Sequence, residues 1–391
     1  MTAHTQPLDL VILGGGLAGL TLCEALAGRG LSVLVLEARP EYITDRTWSF
    51  WSADGEPAPW PGEQGRWNRW QVRHGERAPV ACGAPGWQYV SLDAGAWLNA
   101  QAQRIAADPD QRLAMGREVI DMDVTDAGVR VRLRSARHSD AIETIEARQV
   151  VDARLNWRRA PAPSYAQHFL GYEVETNRPA FDGGVAGLME FRPGAMAGEG
   201  VDFVYLLPFT DRRALIEVTR FSAVAPPQAS LKAWLGAELR QRCGARPVRV
   251  FRSETASLPM TVTAPKRSPH PGRYLAIGQG AGVNRGATGY AFRRIRRQCQ
   301  QLVDDLCRQG RLPDIAPDPG GPIERGMDRL FLRVIRRRPD LAPRLFADLF
   351  AGCPPARLVR FLDDSPSLVD RIAVITACAR PAFAAGLLGP K

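Results

Sequence analysis

Leu8–Glu37 reads LDLVILGGGLAGLTLCEALAGRGLSVLVLE, and this stretch decides the fold. Leu8–Leu13 is an apolar run with the length and composition of a strand buried on both faces of a parallel sheet. It passes without a break into Gly14-Gly15-Gly16-Leu17-Ala18-Gly19, where Gly14, Gly16 and Gly19 form a G-x-G-x-x-G. Leu20, Cys23 and Leu26 recur at helical spacing from Leu17 to Ala27, and Gly28 and Gly30 end the helix. Ser32–Leu36 makes a second apolar strand that finishes at Glu37.

The three glycines answer three different steric demands. Gly14 permits the tight turn, Gly16 lets the main chain approach a pyrophosphate, and Gly19 lets the helix pack closely on the strand. The helix start, at Leu17 and Ala18, offers free N–H groups and a positive dipole end to the phosphates. Glu37, eighteen residues after Gly19, is spaced to accept both hydrogens of a ribose diol. Strand, glycine turn, helix and acidic strand end occur together, so a dinucleotide site is expected rather than a chance glycine turn.

Two later segments extend this site. Gln149–Asp152 (QVVD) reads as another buried strand ending in an acid, Asp152. Tyr274–Gly278 (YLAIG) reads as a strand leading into Gly278-Gln279-Gly280-Ala281-Gly282, with a helix expected from near Thr288. The early glycine motif and this late matching segment favour FAD over NAD. In flavoproteins resembling the hydroxylases, such a late strand, loop and helix bring a second helix N-terminus towards the ribityl phosphate and flavin. Gly278, Gly280, Gly282 and Thr288 therefore join the cofactor candidates.

Composition narrows the class. The chain has 391 residues, 45% hydrophobic and 24% charged, which suits two or three ordinary folded domains. A disordered tail, a collagen-like fibre and a small disulfide scaffold are excluded. No apolar run approaches the roughly 18 residues that span a bilayer. The longest, Ile372–Ala379, falls far short. Met1–Asp9 is polar and leads straight to a strand, so no secretory leader and a cytoplasmic location are expected. Net charge is +10, mostly from Arg, without a zinc-finger or aromatic RNA-binding signature. That favours a solvated Arg-rich surface, or attraction to an anionic membrane, over nucleic acid. The seven cysteines are scattered without Cys-x-x-Cys, and the five histidines do not cluster near them. Neither a metal site nor a disulfide framework is expected.

Residues 47–100 are rich in Trp (Trp48, Trp51, Trp60, Trp67, Trp70, Trp87, Trp97). Val119–Val124 and Val129–Leu133 alternate as a hairpin around Asp126-Ala127-Gly128. Phe169–Thr176, Gly187–Arg192, Phe203–Pro208 and Ala214–Phe221 read as strands of an antiparallel substrate sheet. From Tyr290 the chain turns helical, with Phe292, Ile295, Leu302, Val303 and Leu306 on one face and Arg293, Arg294, Arg296 and Arg297 in its first turns. A linker, Pro313–Pro322, precedes helices over Leu341–Phe350, Pro355–Leu362 and Pro366–Ala379. In the tail, Met327, Leu330, Phe331, Val334 and Ile335 sit beside Arg333, Arg336, Arg337 and Arg338, a pattern suited to a helix lying in a membrane interface.

The expected architecture is α/β: an FAD-binding Rossmann-like domain of hydroxylase type, an antiparallel-sheet substrate domain and a helical C-terminal region. The FAD-binding domain takes residues 1–46, 101–160 and 270–312, the substrate domain 47–100 and 161–269, and the helical region 313–391.

Several segments, in order, resemble the bacterial flavin-dependent lycopene beta-cyclase family. They are DLVILGGGLAGL at the start, Thr47-Trp48-Ser49-Phe50 (with Arg46 where the family has His), Gln167–Glu173, and Tyr205–Phe209 followed by Leu215-Ile216-Glu217-Val218-Thr219. Thr288-Gly289-Tyr290-Ala291-Phe292 and the tail from Met327 to Leu362 complete the match over nearly the whole chain. Val218 stands where many members carry Asp, Gly286-Ala287 where Pro-Ser is usual, and Leu155 where a glycine follows Asp-Ala-Arg. These departures leave open a relative that cyclises another polyene or terpenoid.

The resemblance implies an intramolecular, non-redox cyclisation of lycopene ends to beta-ionone rings. An acid protonates the terminal double bond at C2, the C5=C6 bond attacks the C1 cation, and a proton leaves C6. Reduced FAD is the implied active form, with NAD(P)H as its reductant. Glu217, inside an apolar stretch where burial would keep it protonated, is the leading acid. Glu173 and Glu175, on one face of a neighbouring strand, come second. Trp48, Phe50, Trp51 and Tyr290 are the pocket candidates, and His168 is an alternative proton acceptor. A hydrophobic polyene and, peripherally, an anionic cytoplasmic membrane surface are the implied partners. The rival readings are an FAD-dependent monooxygenase or oxidoreductase acting on a hydrophobic terpenoid or aromatic, and a non-catalytic membrane-surface scaffold.

Overall fold

The computed structural model describes residues 7–75, 77–135, 142–155, 165–244 and 248–378. The chain opens with β1 (Leu8–Leu13), α1 (Leu17–Ala25) and β2 (Val33–Glu37). The Trp-rich part follows as β3 (Thr47–Ala53), β4 (Glu63–Trp67), β5 (Trp70–His74), β6 (Val80–Cys82), β7 (Trp87–Asp93) and α2 (Ala94–Ala106). Next come β8 (Gln111–Met115), β9 (Arg117–Thr125), β10 (Gly128–Ser135), β11 (Ile142–Asp152), β12 (Ala166–Thr176) and β13 (Ala186–Phe191). After these run β14 (Val201–Pro208), β15 (Arg213–Ser222), α3 (Gln228–Cys243), β16 (Val248–Pro259) and β17 (Tyr274–Ala276). The chain ends in α4 (Phe292–Gln309), α5 (Gly321–Arg337), α6 (Ala342–Gly352), α7 (Pro355–Leu362) and α8 (Leu368–Cys378).

The first sheet has the order β8-β2-β1-β11-β10-β9, with β17 also on β11. β8, β2, β1, β11 and β17 pair in parallel, while β9 and β10 add an antiparallel hairpin. The unbroken apolar run of β1 is explained by its two covered faces. Leu10 and Ile12 pack with α1 and α4, whereas Val11 and Leu13 pack with Val129, Val131 and Leu133 of β10. The expected hairpin and the strands at Gln149–Asp152 and Tyr274–Gly278 all fall in this sheet.

The second sheet runs β16-β12-β15-β14-β13-β5-β6. It is antiparallel except where β5 lies parallel to β13. Leu170, Val174, Val204, Ile216 and Val218 point to one face and pack against Leu231, Trp234 and Leu235 of α3. The alternate residues point the other way. There Phe203, Leu207, Leu215 and Phe221 join Leu332, Ile335, Phe346, Leu349 and Phe361 of the C-terminal helices. A three-stranded sheet, β3-β7-β4, carries Trp48, Trp51, Trp67 and Trp87, whereas Trp70 lies on β5 of the second sheet and Trp97 on α2.

One strand had no sequence signal, and one helix start moves. β16 was not legible, because its charged residues Arg249, Arg252 and Glu254 and its exposed Val250 and Phe251 break any apolar alternation. The helix expected from Thr288 begins at Phe292: Gly289 takes a φ of +74°, which no helix interior accepts. In the tail, Leu330 is 43% exposed and Arg333 is exposed, while Val334 and Ile335 are fully buried and Arg338 pairs with Asp340. The arginines of α4 are likewise engaged. Arg293 and Arg297 bind Asp363, Arg294 binds Asp364, and Arg296 lies 5.1 Å from the centre of the Trp60 ring. Met1–Gln6 and Ala379, the last residue of the expected final helix, lie outside the described residues.

Candidate active site

A cleft of about 920 Å³ runs from the β1–α1 turn to the second sheet. Gly14, Gly16, Leu17 and Ala18 line its first end. Gly14 has φ +96°, so the turn needs glycine there. A Cβ on Gly19 would lie 1.9 Å from the carbonyl oxygen of Gly14, whereas a Cβ on Gly16 would meet nothing within 4 Å. Gly19 is therefore a packing requirement, and Gly16 holds open the space into which a pyrophosphate fits. The residues present suit a bound dinucleotide.

Glu37 closes the turn from behind. Its Oε2 accepts a hydrogen bond from the Gly15 N–H at 2.8 Å. Its Oε1 accepts from the Arg39 N–H and Nε, each at 2.9 Å. A ribose diol would take the positions that the half-buried Arg39 guanidinium fills. Asp152 ends β11 and receives Arg154 Nε at 2.9 Å and Nη2 at 2.7 Å. Arg154, not Asp152, lines the cleft. Gly278 has φ +69°, and its Cβ would come within 2.6 Å of Ala18 Cβ, so the late loop packs directly on α1. Gly280 lies in a single 3₁₀ turn, Gln279–Ala281, and Gly282 follows it in left-handed conformation. These glycines shape the loop, while Gln279, Thr288 and Gly289 face the cleft beside the first turn of α4.

The other end of the cleft is one row of the second sheet. Tyr205, Glu217, Gly171 and Glu254 lie opposite one another across β14, β15, β12 and β16. Tyr205, Glu217 and Glu254 line the cleft. Glu217 is buried and accepts a hydrogen bond from the Thr219 hydroxyl at 2.9 Å. Burial first, and then the neighbouring Glu254 carboxylate, hold its carboxyl well above the usual range. Val218 packs towards α3 and does not touch this row. Glu173, one row on, is buried between two cations, with Arg213 Nε at 2.6 Å and Arg252 Nε at 2.8 Å. Glu175 is half-buried, opposite Arg213 and Arg249, and does not line the cleft. His168 faces away from the cleft row and bonds Ser257 Oγ at 2.8 Å.

A second, apolar cavity of about 210 Å³ meets the cleft, the two sharing Tyr205, Thr288 and Tyr290. Met189, Phe221, Met327, Phe331, Phe346 and Leu349 are among its walls. Trp51 lines this cavity and Trp48 lines the cleft, but Phe50 is core: it stacks on Phe292 at 4.3 Å between ring centres. Burial pushes the Tyr290 phenol up to about 12, so it is neutral. Tyr89, Arg252 and Glu254 carried no signal in the sequence, and Tyr205 entered only within a resembling segment, because only strand register brings them together. A wider recess of about 1700 Å³ beside α3 shares no wall with the cleft. Its Arg192 and Arg242 are already paired with Glu190 and Glu238.

The fold is that of the FAD-dependent hydroxylase- and monooxygenase-like flavoproteins, with mixed sheets and C-terminal helices. A geranylgeranyl bacteriochlorophyll reductase-like protein from Thermoplasma acidophilum superposes with a TM-score of 0.64 over 96% of each chain, at 16% identity. The flavin-dependent monooxygenase PieE, solved in complex with FAD and substrate, gives a TM-score of 0.58 over 98% of this chain and 73% of that one, at 17% identity. The model of the lycopene cyclase protein family matches residues 9–385. The chain belongs to the lycopene cyclase family. It is 27% identical to a lycopene beta-cyclase from Paracoccus sp., over 93% of this chain and 89% of that one.

Proposed function

We propose that this protein binds FAD at the β1–α1 turn and cyclises the linear ends of lycopene, or a closely related polyene, with Glu217 as the proton donor. One observation carries the proposal: Glu217, a buried carboxyl, lines the cleft that begins at the glycine turn and lies directly across from Tyr205, which that cleft shares with the apolar cavity. In this reading the polyene lies in the apolar cavity with its end past Tyr205 and Tyr290. Glu217 gives its proton to C2 of the terminal double bond. The C5=C6 bond closes on the C1 cation, and loss of a proton from C6 leaves the ring double bond. The ring faces of Trp48, Tyr205 and Tyr290 offer negative π density to the passing cation. Reduced flavin, kept so by NAD(P)H, supplies negative charge beside that cation when bound. Product and substrate are isomers, so no reductant is consumed in step with turnover. In this reading residues 1–46, 101–160 and 270–312 form the FAD-binding domain, 47–100 and 161–269 the substrate domain, and 313–391 the helical region.

A polyene has almost no aqueous concentration and must be collected from lipid. Among the described residues no helix is long and apolar enough to cross a membrane. Leu368, Val369, Ile372 and Ile375 of α8 are all more than half exposed, as is Ile323 of α5, with Leu330 exposed too, and Arg371 of α8 pairs with Glu324 of α5. Leu330 and Ile375 also line the apolar cavity. We place the peripheral membrane contact on this α5–α8 face, with exposed Arg329 and Arg333 at its border.

The test is expression in a lycopene-accumulating bacterium followed by pigment analysis. Conversion to a ring-bearing isomer is expected, and unchanged lycopene would overturn the proposal. The flavoprotein monooxygenase reading draws on the shared fold. NAD(P)H consumption in step with product would select it instead.

A further inference from the structure

Gly171 separates two glutamates in one row of the second sheet. It lies opposite Glu217 through the β12–β15 pairing and opposite Glu254 through the β12–β16 pairing. Residues directly opposite in a sheet share a face, so both side chains rise on the cleft side. A Cβ on Gly171 would lie 3.3 Å from Glu217 Cβ and 3.3 Å from Glu254 Cγ. The two acids thus flank the space that the glycine leaves empty.

Their partners differ. Glu254 receives Arg252 Nη1 at 2.9 Å, and Arg252 Nη2 also holds the Thr47 hydroxyl at 2.7 Å. Thr47 in turn bonds Glu254. Glu217 has the Thr219 hydroxyl. The other titratable groups around them are Tyr205 on β14, Glu173 on β12, Tyr290 before α4, Tyr89 on β7, and Asp93 near Arg252. The three phenols are neutral, their pKa values raised chiefly by burial. Glu173 is matched by Arg213 as well as by Arg252.

We infer that Glu217 and Glu254 hold one proton between them, resident on Glu217, with Glu254 the charged positioning residue that keeps it there. The inference deepens the proposed cyclase reading and rests on it. Burial raises the Glu254 carboxyl too, but Arg252 and Thr47 bond it directly and work against that rise, whereas Glu217 has only the Thr219 hydroxyl. Of the two acids Glu254 is therefore the better placed to carry the charge, and that charge disfavours a second one beside it. The proton account then balances. The Glu217 O–H bond breaks as a C–H bond forms on the substrate, leaving two carboxylates facing a carbocation. The C–H bond at the ring carbon next breaks, its electron pair becomes the ring double bond, and the proton returns to the pair. Nothing is oxidised or reduced.

Infrared difference spectroscopy of the flavin-loaded protein across pH tests this. The readout is the C=O stretch of a protonated carboxyl, assigned to Glu217 by its loss in Glu217→Gln. In Glu254→Gln the titration midpoint of that band should fall by about one pH unit or more. Glu254→Asp, which draws the charge back by one methylene, should lower it by a smaller step and serves if the Gln variant does not fold. An unmoved midpoint in both variants, or no protonated carboxyl at neutral pH, would overturn the inference. The measurement needs no turnover. A shifted midpoint in a protein that leaves polyenes unchanged would uphold the pair and remove the cyclase reading. Cyclisation with an unmoved midpoint would do the reverse.

Discussion

Trp51 and Tyr290 meet edge to face, their ring centres 5.5 Å apart at an interplanar angle of 87°. Trp51 belongs to the wall of the apolar cavity, and Tyr290 to both the cavity and the cleft. Tyr290 is delivered by a short loop whose main chain closes on Arg285: the Arg285 N–H donates to the Tyr290 carbonyl at 2.9 Å. Arg285 is itself fully buried, facing Asp328 of α5 at 3.3 Å and Asp364 after α7 at 3.6 Å. Its guanidinium carbon lies 4.1 Å from the centre of the Phe361 ring. The C-terminal helices therefore hold the loop that joins cavity to cleft.

Arg285→Met should test that anchoring. Removing one partner of a buried ion pair typically costs about 3–5 kcal/mol, and Asp328 would lose its hydrogen bond to Arg285 and keep the nearby charge of Arg294. We expect a lower denaturation midpoint and a raised KM for the polyene. Unaltered stability would show that the loop is held by its own main-chain bonds.

Gly16→Val and Gly19→Ala should separate ligand space from packing space. The added Cβ at Gly16 meets nothing within 4 Å, so the variant should fold normally but carry no flavin. At Gly19 the same atom would lie 1.9 Å from a backbone oxygen, so the variant should lose stability. Flavin absorbance and thermal melting read the two outcomes. A normal flavin content in Gly16→Val would contradict the cofactor assignment.

Glu217→Gln should reduce cyclisation by on the order of 10²–10⁴ while flavin stays bound. It should also change how stability depends on pH. A carboxyl raised in the folded state binds its proton more tightly there than in the unfolded chain. Its contribution is fully present below the unfolded value near 4.5 and is lost as pH rises towards the folded value. The wild type should therefore lose stability with rising pH over that range, and the Gln variant should lose less. Parallel melting curves across pH would rule out a proton held on Glu217.

Ile372→Asp and Ile375→Asp should detach the protein from lipid without unfolding it, because both side chains are 53% exposed. Flotation with anionic liposomes reads the effect. Binding by the wild type should fall with salt, and further when Arg329 and Arg333 become Gln. Undiminished flotation of the Asp variants would move the contact elsewhere on the surface.

The nucleotide end was legible along the chain because each requirement there is local. Gly14 is required by its own backbone conformation and Gly19 by the Gly14 carbonyl five residues back, and β1 advertises its two buried faces as an unbroken apolar run. The same holds for the hairpin of β9 and β10 and for the amphipathic face of α4. Glu217 was legible too, as a lone acid in the apolar run of β15. Glu254 was not. It sits on a charged edge strand without alternation, and its meaning comes from being paired through Gly171 with Glu217. The tail was legible only in part: exposed Leu330 and Arg333 share α5 with Val334 and Ile335, which are buried, and most of the exposed apolar residues belong to α8. Periodicity says that a helix has an apolar face, but which side another element covers depends on packing between segments far apart in the chain. Strand register has the same origin, so the chain carries the turn and the acid locally, while the acid's partner and the free face exist only once the sheets and helices are assembled.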